Sequence, residues 1–129
     1  MGQQQLLLVI LVTIIVGVAT VVAIDTFQSS RVDSNRAALR QDILMILNDA
    51  QIYYEKPEMM GGGGQSFNTI SQDQILSVET SNENGSYTIS GSGNTVTVIG
   101  TSQSTDVKLT AEATISTDGM DINWTESTK

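Results

Sequence analysis

The chain has no cysteine and no histidine, and it has a single proline and few aromatics (one Trp, three Tyr and two Phe). Without cysteine or histidine, disulfide staples, thiolate or imidazole metal ligands and nucleophiles that rely on a histidine base are excluded. Basic residues are also scarce. Six Lys and Arg stand against fourteen Asp and Glu, a formal net charge of −8 at pH 7. That balance leaves no basic patch to displace counterions from a phosphate backbone, so nucleic acid is not expected as a partner. Beyond residue 40 only Lys56, Lys108 and Lys129 are basic, amid abundant Ser, Thr, Gly and Asn. Such a surface suits an exported protein kept soluble by acidic and hydroxyl groups.

Charge is missing altogether from residues 1–24, where the sequence supplies its longest feature instead. Leu6 to Ile24 is an apolar run interrupted only by Thr13, Gly17 and Thr20. As a helix rising about 1.5 Å per residue, it is long enough to cross or nearly cross the hydrocarbon core of a bilayer. Its fourteen Leu, Ile and Val residues favour insertion by about 4–8 kcal/mol in sum. Three uses compete for such a segment: a cleaved secretory signal, a permanent anchor, or a helix that leaves the membrane and packs against its copies. Val21-Val22-Ala23 resembles a cleavage site, but no basic n-region precedes it and the run exceeds a usual h-region. Arg31, Arg36 and Arg40 follow the run and no Lys or Arg precedes it. The positive-inside rule alone would place the rest of the chain in the cytoplasm. A basic leader ahead of residue 1 would reverse that expectation.

The helical pattern continues past the run. From Arg31 to Glu55 there is no Gly or Pro, and Leu39, Ile43, Ile46, Leu47, Ala50 and Tyr54 form one apolar stripe at helical period. Asp33 and Arg36, three apart, support the exposed face. Pro57 and the four glycines at 61–64 mark the stop. The reading is one helix over about residues 3–55, roughly 80 Å long at the α-helical rise. Its apolar half spans 1–30, and a globular part spans 31–129.

After the glycines the period changes to two. Val107 to Ile115 alternates strictly, as do Met120, Ile122 and Trp124, with Asp118-Gly119 as a hairpin turn. Setting Thr117 opposite Met120 puts Ile115 opposite Ile122 and Ala113 opposite Trp124, all on one face. A Gly93-Asn94 turn pairs Ile89 with Val98. An Asn84-Gly85 turn brings Leu76 and Val78 onto the face of Tyr87 and Ile89. The expected fold is α+β: the long helix packed on an antiparallel meander of four to five strands over 74–126. A loop fills 56–73, and surface connections lie at 61–72 and 100–105. The stripe on the second half of the helix is the available cover for the greasy face of the sheet.

No motif carries chemistry. The glycines at 61–64 are followed by Gln65-Ser66-Phe67, not the Gly-Lys-Ser/Thr of a phosphate loop, and read as a flexible linker. Asp118, Asp121 and Glu126 lack the spacing of a calcium loop and read as solvated charge. Asn84-Gly85-Ser86 and Asn123-Trp124-Thr125 match the N-glycosylation sequon, Asn84 in an accessible turn and Asn123 on an outer strand face. Tyr53 and Tyr54 read as contacts between helix and sheet. No arrangement of residues resembles an active site, so neither enzymatic activity nor a cofactor is expected.

A retained apolar N-terminal helix, extended by an amphipathic half and capped by an antiparallel meander, resembles the type IV pilin family of bacterial pilins and pseudopilins. The resemblance spans the chain as architecture and residues 1–24 as a sequence pattern. It implies a structural subunit that sits in the inner membrane and then polymerises through its apolar helix, with assembly machinery as a further partner, into an extracellular filament. The residues it implies for polymerisation are Gln5, Leu6, Leu7, Ile10, Ile14, Gly17, Val21 and Ile24. Gln5 stands where the family has Glu if Met1 is the mature first residue, so it offers a neutral amide in place of an ion pair. The stapling cysteines and the helix-kinking proline of many bacterial members are absent. The alternatives are a pseudopilin forming a short stub, and a single-pass anchored domain that binds a surface partner.

Overall fold

The computed structural model describes residues 2–75 and 77–128 as one long helix followed by a four-stranded antiparallel sheet, an α+β fold. Met1 and Leu76, on which two sequence expectations fall, lie outside the described residues. The chain forms two compact units, one up to Asp33 and one from Ser34. Helix α1 runs from Gly2 to Glu55 without interruption at Gly17, in keeping with the absence of proline from this stretch. In the first unit, residues 2–31 are exposed throughout.

The second unit is built on the remainder of α1. Leu39, Ile43, Ile46, Leu47, Ala50 and Tyr53 are its buried residues. Five of these were expected; the sixth is Tyr53 where the periodicity pointed to Tyr54. The loop after the helix decides between them. Tyr53 is covered by Gly63 and shares a hydrogen bond with the Thr69 hydroxyl (2.6 Å), while Tyr54 lies at the margin against the Phe67 ring. Pro57 and Gly61 end the helix as expected, Gly61 adopting the left-handed conformation after a single 3-10 turn at Glu58–Met60.

The strands are β1 (Gly85–Ser92), β2 (Thr95–Ser102), β3 (Val107–Ser116) and β4 (Gly119–Thr128), ordered β1-β2-β3-β4. The Gly93-Asn94 turn pairs Ile89 with Val98 as read from the sequence. The β3–β4 hairpin closes differently. Ser116 pairs with Gly119, Ile115 with Met120, Ala113 with Ile122 and Ala111 with Trp124. A turn centred on Asp118-Gly119 would hold Asp118 at positive φ. Among the described residues Gln65 is the only non-glycine there, and Gly119 takes the bend at φ 129°. The slip is even, so every side chain keeps its expected face.

Two loop expectations are corrected. Strand β2 runs through Ser102, which shortens the loop expected at 100–105, and Gly100 is buried. The buried Ser102 hydroxyl oxygen accepts the backbone N–H groups of Ser104 and Thr105, closing the β2–β3 connection. The 61–72 connection is no simple surface loop either, since Phe67 and Ile70 are buried in the core. Among the described residues no fifth strand forms upstream of β1. Residues 77–84 make one isolated bridge, Ser81 to Ser86, and the outer edge of β1 is already occupied: Gln72 Nε2 donates to the Tyr87 carbonyl and Phe67 N–H to that of Gly93.

The sheet face under the helix is unusually lean. Gly85, Gly100, Ala111 and Ala113 sit among Tyr87, Val96, Val98 and Leu109. A Cβ at Gly100 would lie 3.1 Å from Ile43 Cδ1 and 3.0 Å from the Tyr87 ring; one at Gly85 would run into the Thr101 carbonyl and lie 2.9 Å from Leu39 Cδ2. Small residues on the sheet thus admit large ones from the helix. Each fully buried Leu or Ile contributes about 1.5–3 kcal/mol. Leu47→Ala is therefore expected to destabilise the fold by about 2–4 kcal/mol, and Gly85→Ala by a few kcal/mol through backbone displacement. Asn48→Ala, on the exposed face, should change little. Denaturant titration followed by Trp124 fluorescence checks all three, and equal small effects at 47 and 48 would contradict the packing.

Candidate functional site

The candidate site is the first unit itself. Its large apolar side chains from Leu6 to Ile24, and that of Phe27, are exposed by 52–66%. The helix is long and apolar enough to cross a membrane, with a mean hydropathy of 3.1 over its best 18-residue window and none of that window buried. Apolar side chains cover its whole circumference, unlike the single stripe of a surface helix. Leu7, Ile10, Ile14, Gly17, Val21 and Ile24 are spaced alternately three and four apart, so they share one stripe. Leu6 flanks the start of the stripe, and Gln5 falls on the opposite side of the rod. A Cβ at Gly17 would touch nothing within 4 Å. Packing within the chain therefore gives no reason for glycine there.

The polar atoms of the run are satisfied internally. Thr13, Thr20 and Thr26 donate their hydroxyls to the carbonyls of Val9 (2.7 Å), Val16 (2.8 Å) and Val22 (2.9 Å). A hydroxyl that already has its acceptor can enter a dry environment without the penalty of an unmet donor. This feature was not read from the sequence, although a threonine four residues after a valine carbonyl within a helical run is enough to expect it.

The second unit holds its helix by polar groups that the periodicity of the apolar stripe hides. Asn35, Asp42 and Asp49 recur every seven residues along one flank. Asn35 Nδ2 donates to the Asn84 carbonyl and its Oδ1 accepts from the Thr105 hydroxyl. Asp42 Oδ2 accepts from Asn82 Nδ2 (3.1 Å), Asn84 Nδ2 (3.0 Å) and the Tyr87 hydroxyl (2.5 Å). Asp49 takes the Ser77 amide and hydroxyl, both at 2.8 Å. On the other flank Arg36 pairs with Glu126 at 2.7 Å, and the Arg40 guanidinium lies 5.1 Å from the Trp124 ring centroid. Both arginine contacts are partly solvated and contribute modestly.

Burial alone would raise the Asp42 pKa. The hydrogen bonds from Asn84, Tyr87 and Asn82 outweigh it and hold the carboxyl below its ordinary 3.8. Burial, together with the neighbouring Asp42 carboxylate, pushes the Tyr87 hydroxyl well above the usual tyrosine range, so it remains a donor at any ordinary pH.

The sequon residues differ in setting. Asn84 is half-buried and its Nδ2 is engaged by Asp42, contrary to the accessible turn expected, while Asn123 is exposed on β4. Among the described residues, no three His, Cys, Asp or Glu side chains gather into a metal-binding group. Comparison with family models, curated proteins and solved structures gives no match.

A carboxyl whose folded pKa is depressed contributes stability that is fully present above its unfolded value and is lost as pH falls through the folded one. The fold should therefore weaken below about pH 4, and Asp42→Asn should flatten that acid limb. The variant should also lower stability at pH 7 by about 1–3 kcal/mol, because its amide cannot serve three donors. Unfolding curves at stepped pH test this; an unchanged acid limb in Asp42→Asn would assign the loss to other carboxylates.

Proposed function

We propose that this protein is a structural subunit that polymerises through its apolar N-terminal helix into a type IV pilus-like extracellular filament, with the membrane as the store of unassembled subunits. The observation that carries the proposal is the run of aliphatic side chains exposed on every side of residues 6–24. Water is the one surrounding that such a surface cannot tolerate. Lipid would cover it before assembly and neighbouring copies afterwards, so little apolar area would meet water at any stage. The inward-turned threonine hydroxyls support the same exchange, since they ask nothing of either environment.

The mechanism is packing, with no chemistry at a reacting centre. In filaments the stripe of Leu7, Ile10, Ile14, Gly17, Val21 and Ile24 would meet the rods of neighbours, with Gly17 allowing a close backbone approach. The Gln3–Gln5 amides would help fix the axial register, because an unpaired amide in a dry core costs several kcal/mol whereas aliphatic contacts tolerate sliding. Work to extract a subunit from lipid would come from separate assembly machinery. Secreted sheet surfaces rich in Ser and Thr would face outward.

Removing detergent from purified full-length protein should give ordered filaments by negative-stain electron microscopy. A detergent-free monomer by light scattering would sink the reading, and a stable particle of a few subunits would favour a stub. Gln5→Leu should leave membrane insertion intact and blur the helical order of the filaments. Sharp layer lines and wild-type yield from that variant would remove residue 5 from the mechanism.

A further inference from the structure

Residues 77–84 cross the flank of the helix between a 3-10 turn at Gln72–Gln74 and the start of β1. Their attachments are almost wholly polar. Val78 is half-buried and is the only large apolar side chain in the segment, and Ser77, Glu79, Thr80, Ser81 and Glu83 are exposed. The hold on the helix comes from Asp49, which takes Ser77, and Asp42, which takes Asn82 and Asn84. Asn35 adds a bond to the Asn84 carbonyl. Against the sheet the segment has the Tyr87 N–H to Thr80 carbonyl bond and the contact of Gln103 Nε2 with the Ser81 hydroxyl. Beneath and beside it lies an apolar cleft that includes Ile46, Ile75, Val78, Ile89 and Val98.

Apart from the Tyr87 hydroxyl of β1, the four strands do not share this dependence. They pair continuously with one another and pack on Leu39, Ile43, Ile46 and Leu47 through apolar contact. Regions held by few apolar contacts and many solvent-accessible polar ones open at lower free energy than a packed core. A single Asp42 oxygen takes two of the segment's polar ties, from Asn82 and Asn84, together with the Tyr87 hydroxyl of β1. Protonation removes the charge from that acceptor and turns one of its oxygens into a donor, which weakens its hold on the Asn82 and Asn84 amides.

We propose that residues 77–84 form a strap that acid releases from the helix as a unit, uncovering the apolar cleft while the sheet and the helix beneath it stay folded. The clasp is the Asp42 carboxylate. The groups that face it are the neutral amides of Asn82 and Asn84 from the strap and the Tyr87 hydroxyl from β1. Along the helix the next carboxylate on that flank is Asp49, with Asp73 and Lys56 around the pocket that Asp49 lines. The strap itself carries Glu79 and Glu83. Acid also relieves repulsion between these carboxylates and those of the helix, which favours closure. Glu79 and Glu83 are exposed, so solvent screens that contribution, whereas the donors on Asp42 lose their acceptor directly. The depressed Asp42 pKa places the release below the ordinary carboxylate range.

Hydrogen exchange of the full-length chain in detergent, corrected for the intrinsic pH dependence of exchange, tests the strap directly. Between pH 7 and pH 2.5, amides of 77–84 should lose protection at least tenfold more than those of 96–100 and 108–114. Asp42→Asn at pH 7 should reproduce that excess loss in 77–84 over the strands. Asn48→Asp, which adds a carboxylate on the exposed face, should leave strap protection unchanged at pH 7. Strap amides that stay protected at pH 2.5 would overturn the proposal whatever Asp42→Asn does. Loss in the strap and the strands together, to the same degree, would overturn it too, because the acid effect would then be global. Should Asp42→Asn fail to fold, the wild-type pH series alone decides.

Discussion

Aliphatic side chains around the entire circumference of a helix set the terms for everything else in this protein. A helix that is greasy on one stripe can be satisfied by its own domain. One that is greasy all round needs a surrounding that a 129-residue chain cannot supply from its own sheet. Within the second unit the apolar face of the sheet is taken up by the amphipathic half of α1. Lipid or other copies of the chain would each supply such a surrounding. Either one fits the absence of charge from residues 1–24.

Within the second unit, stability comes from the match between a lean sheet and a bulky helix. Glycine at 85 and 100 and alanine at 111 and 113 give up side-chain volume at the centre of the sheet, and Leu39, Ile43, Ile46 and Leu47 fill it. This division explains how a domain with so few aromatics builds a core. Phe67 and Ile70, delivered from the loop after the helix, close the end that the strands leave open. The flanks are then pinned by polar contacts, carboxylates toward the strap and arginines toward β4.

Much of this architecture is legible in the residues. The change of period from 3.6 to 2, the Pro57 stop and the alternation from Val107 to Trp124 define helix, boundary and sheet by local rules. What escaped is what local rules do not encode. Leu76 and Val78 have the composition of a strand, yet Ser77 between them gives its amide to Asp49, a partner 28 residues away. Tyr53 and Tyr54 both fit the helical stripe, and only the path of the loop decides which is covered. The β3–β4 turn was misplaced because Asp118-Gly119 matches a common turn sequence, whereas the hairpin spares Asp118 a positive φ. For the candidate site, the apolar circumference was evident at once; the internal bonding of its threonines and the seven-residue spacing of Asn35, Asp42 and Asp49 needed coordinates to stand out.

The threonines carry a mechanical consequence. Thr13 and Thr20 are seven residues apart, hence on nearly the same side of the rod, and each hydroxyl competes for a carbonyl that the backbone ladder also uses. Such competition loosens and bends a helix toward one side. Two loosened points aligned two turns apart give the rod a compliant plane and a stiffer one at right angles to it. A rod of that kind yields under load in a preferred direction, as a leaf spring does, and no proline or glycine hinge is needed to make it bend.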